Sequence, residues 1–166
     1  GLHPEAGHQV IDPSGPACYC GAHGCWESLA SGPILAERAR TRARNDEGML
    51  AARLARGLPV EPEDVATAGR GGDGLALELM AEEARYLGLG LVNVLAFYLP
   101  DVVTLSGGLM GAWDLLEGGI RAVVAQHSVM APSGDVLLAR SELGIAAGVL
   151  GAARATWNHL ESGDLV

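Results

Sequence analysis

Three cysteines, Cys18, Cys20 and Cys25, fall within eight positions, and the 166-residue chain has no others. An odd, clustered set is a poor disulfide framework and fits a reducing compartment. Thiolates this close, separated by Gly21 and Gly24, suit a tetrahedral zinc ion, because glycine permits the tight turns such a loop needs. Two histidines compete for the fourth position. His23 lies inside the loop, where binding the same ion would strain a short segment. His8 lies ten residues before Cys18, across Asp12-Pro13-Ser14-Gly15-Pro16, a turn that returns the chain on itself, and is preferred. The competing reading is three buried free thiols acting as small apolar groups. Zinc held by His8, Cys18, Cys20 and Cys25 has no open position and would be structural. It would pin the loop 8–27, and with it two carboxylates, Glu5 and Glu27.

The surrounding elements must position these groups. Gln9-Val10-Ile11 reads as a short strand. Ser28 to Ala43 reads as a helix interrupted at Gly32-Pro33, and residues 44–61 as a second helix followed by a loop. Pro62-Glu63-Asp64 opens a short helix through Thr67. Gly69 to Gly74 reads as a breaker; without a preceding strand or a Lys-Ser/Thr ending it is not a phosphate cradle. Asp73 is the expected N-cap of a helix from Leu75 to Tyr98, stopped by Pro100. Val102 to Ser106 reads as a buried strand, with the Gly107-Gly108 turn at its carboxyl end. A helix at Leu115 to Gln126, a strand at Val136 to Ala139 and a helix at Ile145 to His159 follow, with a loose tail over 161–166. This is α/β grammar, in which crevices at the carboxyl ends of strands bind ligands.

Composition narrows the function classes. Apolar residues make up 49% of the chain, enough for a real core. The formal charge is −9, with 20 acidic residues against 11 arginines and no lysine. A chain without a basic stripe is unsuited to gripping nucleic acid or an anionic membrane. No apolar run reaches the roughly 18 to 20 residues of a membrane span; Leu87 to Leu99 comes nearest and holds Asn93. A first residue that is glycine suggests a processed or incomplete chain.

Glu5-Ala6-Gly7-His8 followed by Cys18-x-Cys20-Gly21-x-x-Gly24-Cys25-x-Glu27 resembles the signature of the ROK family (repressors, open reading frames and sugar kinases). The resemblance continues through Leu87-Gly88-Leu89-Gly90-Leu91-Val92-Asn93, Pro100 and Leu105-Ser106-Gly107-Gly108, covering about residues 1–157. It implies an actin-like, ribonuclease-H-like ATPase fold of class α/β, with residues 1–166 as the C-terminal lobe of a two-lobed, cytoplasmic, homodimeric sugar kinase and the N-terminal phosphate-binding lobe absent. By the same resemblance, His8, Cys18, Cys20 and Cys25 bind structural zinc. Glu5, His8 and Glu27 hold a hexose or N-acetylhexosamine, and Gly107 and Gly108 face the adenosine of Mg-ATP. The family's catalytic base is an aspartate of an Asn-Asp pair expected upstream, so no catalytic residue is assigned within the chain. His3-Pro4 stands where the family usually has Ala-Gly. The alternative is a sugar-sensing lobe of a transcriptional repressor of the same family. Trp26 could stack on a sugar or lie buried under the loop. Trp113 and Trp157 read as core or interface, and His23, His127 and His159 as surface or packing residues.

Overall fold

A computed structural model describes residues 5–127 and 136–162. His3, Pro4 and the last four residues of the expected tail lie outside them. The organising element is α5 (Gly74–Tyr98), which packs against α1 (Trp26–Leu29), α2 (Gly32–Ala43), α4 (Pro62–Arg70) and α6 (Trp113–His127). Leu79, Met80, Leu87, Leu91 and Leu95 of α5 meet Leu35, Val65, Leu116 and Ile120 in one apolar core. A short helix, α3 (Met49–Ala55), adds Leu50 to it.

Local chemistry sets the helix ends. Asp73 caps α5 by accepting from the Ala76 amide at 2.9 Å, as expected, and its other oxygen accepts from the Met49 amide. At the far end Leu99 takes a left-handed conformation, φ 41°, ahead of Pro100. The helix expected from Ser28 is broken: α1 ends at Leu29, and α2 restarts at Gly32 with Pro33 in its first turn. The α4 helix carries a capping box between Glu61 and Asp64 with Pro62 in its first turn. It runs to Arg70, past the expected stop at Thr67. Gly69 packs near Leu115, and Arg70 bonds Asp114 and the Gly111 carbonyl, so tertiary contacts carry the helix into the glycine stretch.

Strands β1 (Val102–Leu105) and β2 (Leu137–Arg140) pair in parallel, Val102 opposite Leu137 and Leu105 opposite Arg140, with α6 between them in sequence. This is a strand–helix–strand unit. The first strand was expected to be buried. Instead Val102 is 51% exposed and no residue of β1 is fully buried, because among the described residues only β2 pairs with it. Gln9-Val10-Ile11 is not a regular strand either: a single bridge joins Val10 to Cys25, after a 3₁₀ turn over Ala6–His8. The last helix, α7 (Ala147–Ser162), leaves residues 148–161 exposed, including Trp157, whereas Trp113 packs on the core. No helix among the described residues is long and apolar enough to cross a membrane.

An ionisable side chain is deeply buried. Glu83 of α5 is fully inaccessible and pairs with Arg38 of α2, whose guanidinium also lies 5.5 Å from the Tyr86 ring centre. Burial pushes the Glu83 carboxyl up to about 8 against the opposing pull of Arg38.

Candidate metal centre and ligand cleft

Two antiparallel bridges, Val10 to Cys25 and Ala17 to His23, fold the segment between Gln9 and Trp26 into a compact loop. Gly24 is the hinge: its φ is +67°, and a β-carbon there would lie 1.6 Å from the Asp12 carbonyl oxygen. The Cys18 amide donates to the Ala22 carbonyl at 2.8 Å and the Gly21 amide to the Cys18 carbonyl at 3.0 Å, turning the chain between the thiols.

The fold brings His8, Cys18, Cys20 and Cys25 together, their ligand atoms all within 4.8 Å of one another. The Cys20 and Cys25 sulfurs are 3.5 Å apart, and His8 Nδ1 is 3.6 Å from Cys18 Sγ. Tetrahedral zinc with bonds of about 2.3 Å to sulfur needs ligand atoms about 3.7 Å apart. Three thiols and one imidazole at these separations fit such an ion with little movement. His23 is not in the group; the bridge to Ala17 holds its backbone on the other arm of the loop.

The thiols differ in their environments. Cys25 is fully buried, and burial, with hydrogen bonds that its thiol donates to Cys20 and Cys18, pushes it up to about 12. Cys20 is exposed, and a hydrogen bond from the Ala22 backbone lowers it. A metal binding here must therefore displace protons, chiefly at Cys25.

Both expected sugar-binding carboxylates border this centre. His8 Nε2 lies 2.9 Å from Glu5 Oε2, and His8 Nδ1 is 3.6 Å from Glu27 Oε1. Gly7 passes close to Glu27, whose Oε2 would be 3.1 Å from a β-carbon at that position. Tyr19, which residue-type reasoning passed over, meets His8 edge-on with ring centres 4.9 Å apart. A hydrogen bond to Glu27 raises its phenol above the ordinary value. Its place between two cysteines was the available signal.

Glu27 also opens on a cleft of about 470 Å³. Gly7, Trp26 and Glu27 line one side, Ser106, Gly107 and Gly108 the carboxyl end of β1, and Pro62 and Glu63 the start of α4. Glu27 and the diglycine turn, 80 positions apart in sequence, thus share one crevice, while Glu5 and His8 stand behind Glu27 and do not line it. Gly107 has φ +104°, a conformation that favours glycine. Trp26 presses on α5: a β-carbon at Gly90 would lie 2.0 Å from its ring. A separate cavity of about 190 Å³ between α5, α6 and the sheet has an apolar lining apart from Arg121 and none of these residues.

Comparison with known proteins decides the family. The family model for ROK matches residues 1–158. The chain belongs to the ROK family. This ROK chain is 35% identical over 162 residues to a glucokinase of Streptomyces coelicolor, covering 92% of the chain and 50% of that protein. It is 28% identical to a xylose repressor of Bacillus spizizenii over 151 residues, covering 91% of the chain and 36% of the repressor. A crystal structure of a ROK family glucokinase from Streptomyces griseus, in complex with glucose and AMPPNP, superposes with a TM-score of 0.78 at 29% identity, over 93% of this chain and 51% of that one. The fold is the α/β, actin-like ATPase fold of the ROK kinases. The chain spans about half the length of the glucokinases it matches.

Proposed function

We propose that the chain is the C-terminal lobe, residues 1–166, of an ATP-dependent sugar kinase that phosphorylates a hexose or N-acetylhexosamine. The observation that carries this reading is the single cleft shared by Glu27 and the Gly107-Gly108 turn. Carboxylates accept hydrogen bonds from sugar hydroxyls, and a diglycine turn lets a nucleotide approach the backbone closely. Glu27 would hold the sugar at one end of the cleft, with His8 and Glu5 behind it positioning that carboxylate, and Gly107 and Gly108 would face the adenosine of Mg-ATP at the other. The similarity to a glucokinase seen with glucose and AMPPNP supports this assignment of both ends.

In this mechanism the lobe aligns the two substrates for in-line transfer and excludes water when the lobes close. The proton acceptor is an aspartate of the other lobe, so the chain supplies positioning rather than the base. His8, Cys18, Cys20 and Cys25 would hold zinc, whose contribution is structural: it ties the loop 8–27 to Glu27.

The repressor relatives favour a second reading, a lobe that binds sugar as an effector without phosphorylating it. Calorimetry on the full-length protein separates the two. A kinase binds a hexose and AMPPNP together, each saturably; a pure sensor binds the sugar and leaves AMPPNP unbound.

A further inference from the structure

Glu63 stands where the cleft meets a smaller neighbouring cavity. It is the second residue of α4, exposed, and its carboxylate has no hydrogen-bond or ion-pair partner among the described residues. The capping box of α4 uses its neighbours Glu61 and Asp64 instead. A β-carbon at Gly108 would lie 3.9 Å from Glu63 Oε1, so carboxylate and diglycine turn face each other across the same end of the crevice.

Two cavities meet at that point. The wide one, about 470 Å³, runs from the diglycine turn to Glu27. The other, about 130 Å³, continues between α4 and the 3₁₀ turn after Gly107, past Ala66 and Ala112. Pro62, Glu63, Gly108 and Leu109 line both.

This junction constrains how a nucleotide lies. Its phosphates are acceptors and anionic, so they avoid a carboxylate and belong in the wide cleft, directed toward the sugar end. A flat base suits the narrow groove between a helix and a turn. The ribose joins the two and must cross the junction, presenting its 2′- and 3′-hydroxyls as donors. A carboxylate offers only acceptors, and hydrogen bonds to a charged group are the stronger ones. We propose that Glu63 is the residue that grips the ribose hydroxyls of the nucleotide, making this chain discriminate ribonucleotides from their deoxy forms. The proposal rests on the reading above that a nucleotide occupies the diglycine end of the cleft.

The test is calorimetric titration of the full-length protein and its Glu63→Ala variant with ATP and with 2′,3′-dideoxy-ATP. Wild type is expected to bind the dideoxy nucleotide about tenfold more weakly than ATP. Glu63→Ala should weaken ATP by about the same factor and leave the dideoxy nucleotide unchanged. Glu63→Gln, which keeps an acceptor oxygen, should recover part of the ATP affinity. An unchanged melting temperature is expected, since the cap of α4 does not use this side chain. ATP affinity within twofold of wild type in Glu63→Ala overturns the proposal, as does an equal loss for both nucleotides. If wild type binds no ATP, the nucleotide reading itself falls, and Glu63 with it.

Discussion

His8 presents its two ring nitrogens to different partners: Nδ1 to the cysteine sulfurs, 3.6 Å from Cys18, and Nε2 to Glu5, 2.9 Å from Oε2. With Nδ1 turned to the metal position, Nε2 carries the hydrogen and donates it to the carboxylate. Glu5 thereby sets the tautomer and orientation of a candidate metal-ligating imidazole, an arrangement that would strengthen such a ligand. Glu5→Ala is expected to lower zinc affinity about 10- to 100-fold. Zinc transfer to a chromophoric chelator measures this, and transfer at the wild-type rate and extent would contradict the link.

The metal should be held structurally. Cys20→Ser, or exhaustive chelation of the wild type, is expected to remove the ion and lower the melting temperature by on the order of 10 °C. Metal analysis alongside a thermal scan checks both. Because burial pushes Cys25 up to about 12, binding must release protons, so apparent zinc affinity should rise steadily between pH 6 and pH 8.

Glu83 predicts a distinctive stability profile. A carboxyl whose pKa is higher folded than unfolded stabilises fully below its unfolded value, near 4.5, and loses that contribution as pH climbs toward 8. The loss is on the order of 3–5 kcal/mol. Denaturant midpoints should fall across that window in the wild type, and Glu83→Gln should flatten the fall. A parallel decline in both proteins would place its origin elsewhere.

Gly90 tests the support beneath the cleft. Alanine there meets the Trp26 ring at 2.0 Å, and neither the ring nor α5 can yield without repacking. Gly90→Ala is expected to destabilise by about 1–3 kcal/mol. It should also shift the tryptophan emission and weaken sugar binding, because Trp26 adjoins Glu27 and lines the same cleft. Normal stability with an unshifted spectrum would show that the contact is dispensable.

Much of this was legible because it is local. The four candidate metal ligands lie within eighteen positions, and residue type plus glycine placement suffices to expect them together, as the fold brings them. Asp73 and Pro100 mark the ends of α5 by short-range chemistry alone. What escaped depends on partners distant in sequence. Arg70 is helical because Asp114 and the Gly111 carbonyl receive it, which no count of glycines reveals. The exposure of β1 depends on which strands lie beside it. Glu63 carries no periodic signal, and its place opposite Gly108 comes from the packing of α4 on the turn after β1.

The central claim, that the cleft serves phosphoryl transfer to a sugar, is tested most directly by a coupled ADP-release assay. Full-length protein would be given Mg-ATP and a panel of hexoses and N-acetylhexosamines, alongside Glu27→Ala. The account predicts sugar-dependent ADP release with at least one member of the panel, with a KM for that sugar at least tenfold higher in the variant. Saturable sugar binding without any ADP release would contradict it and assign the lobe to a sugar-responsive regulator.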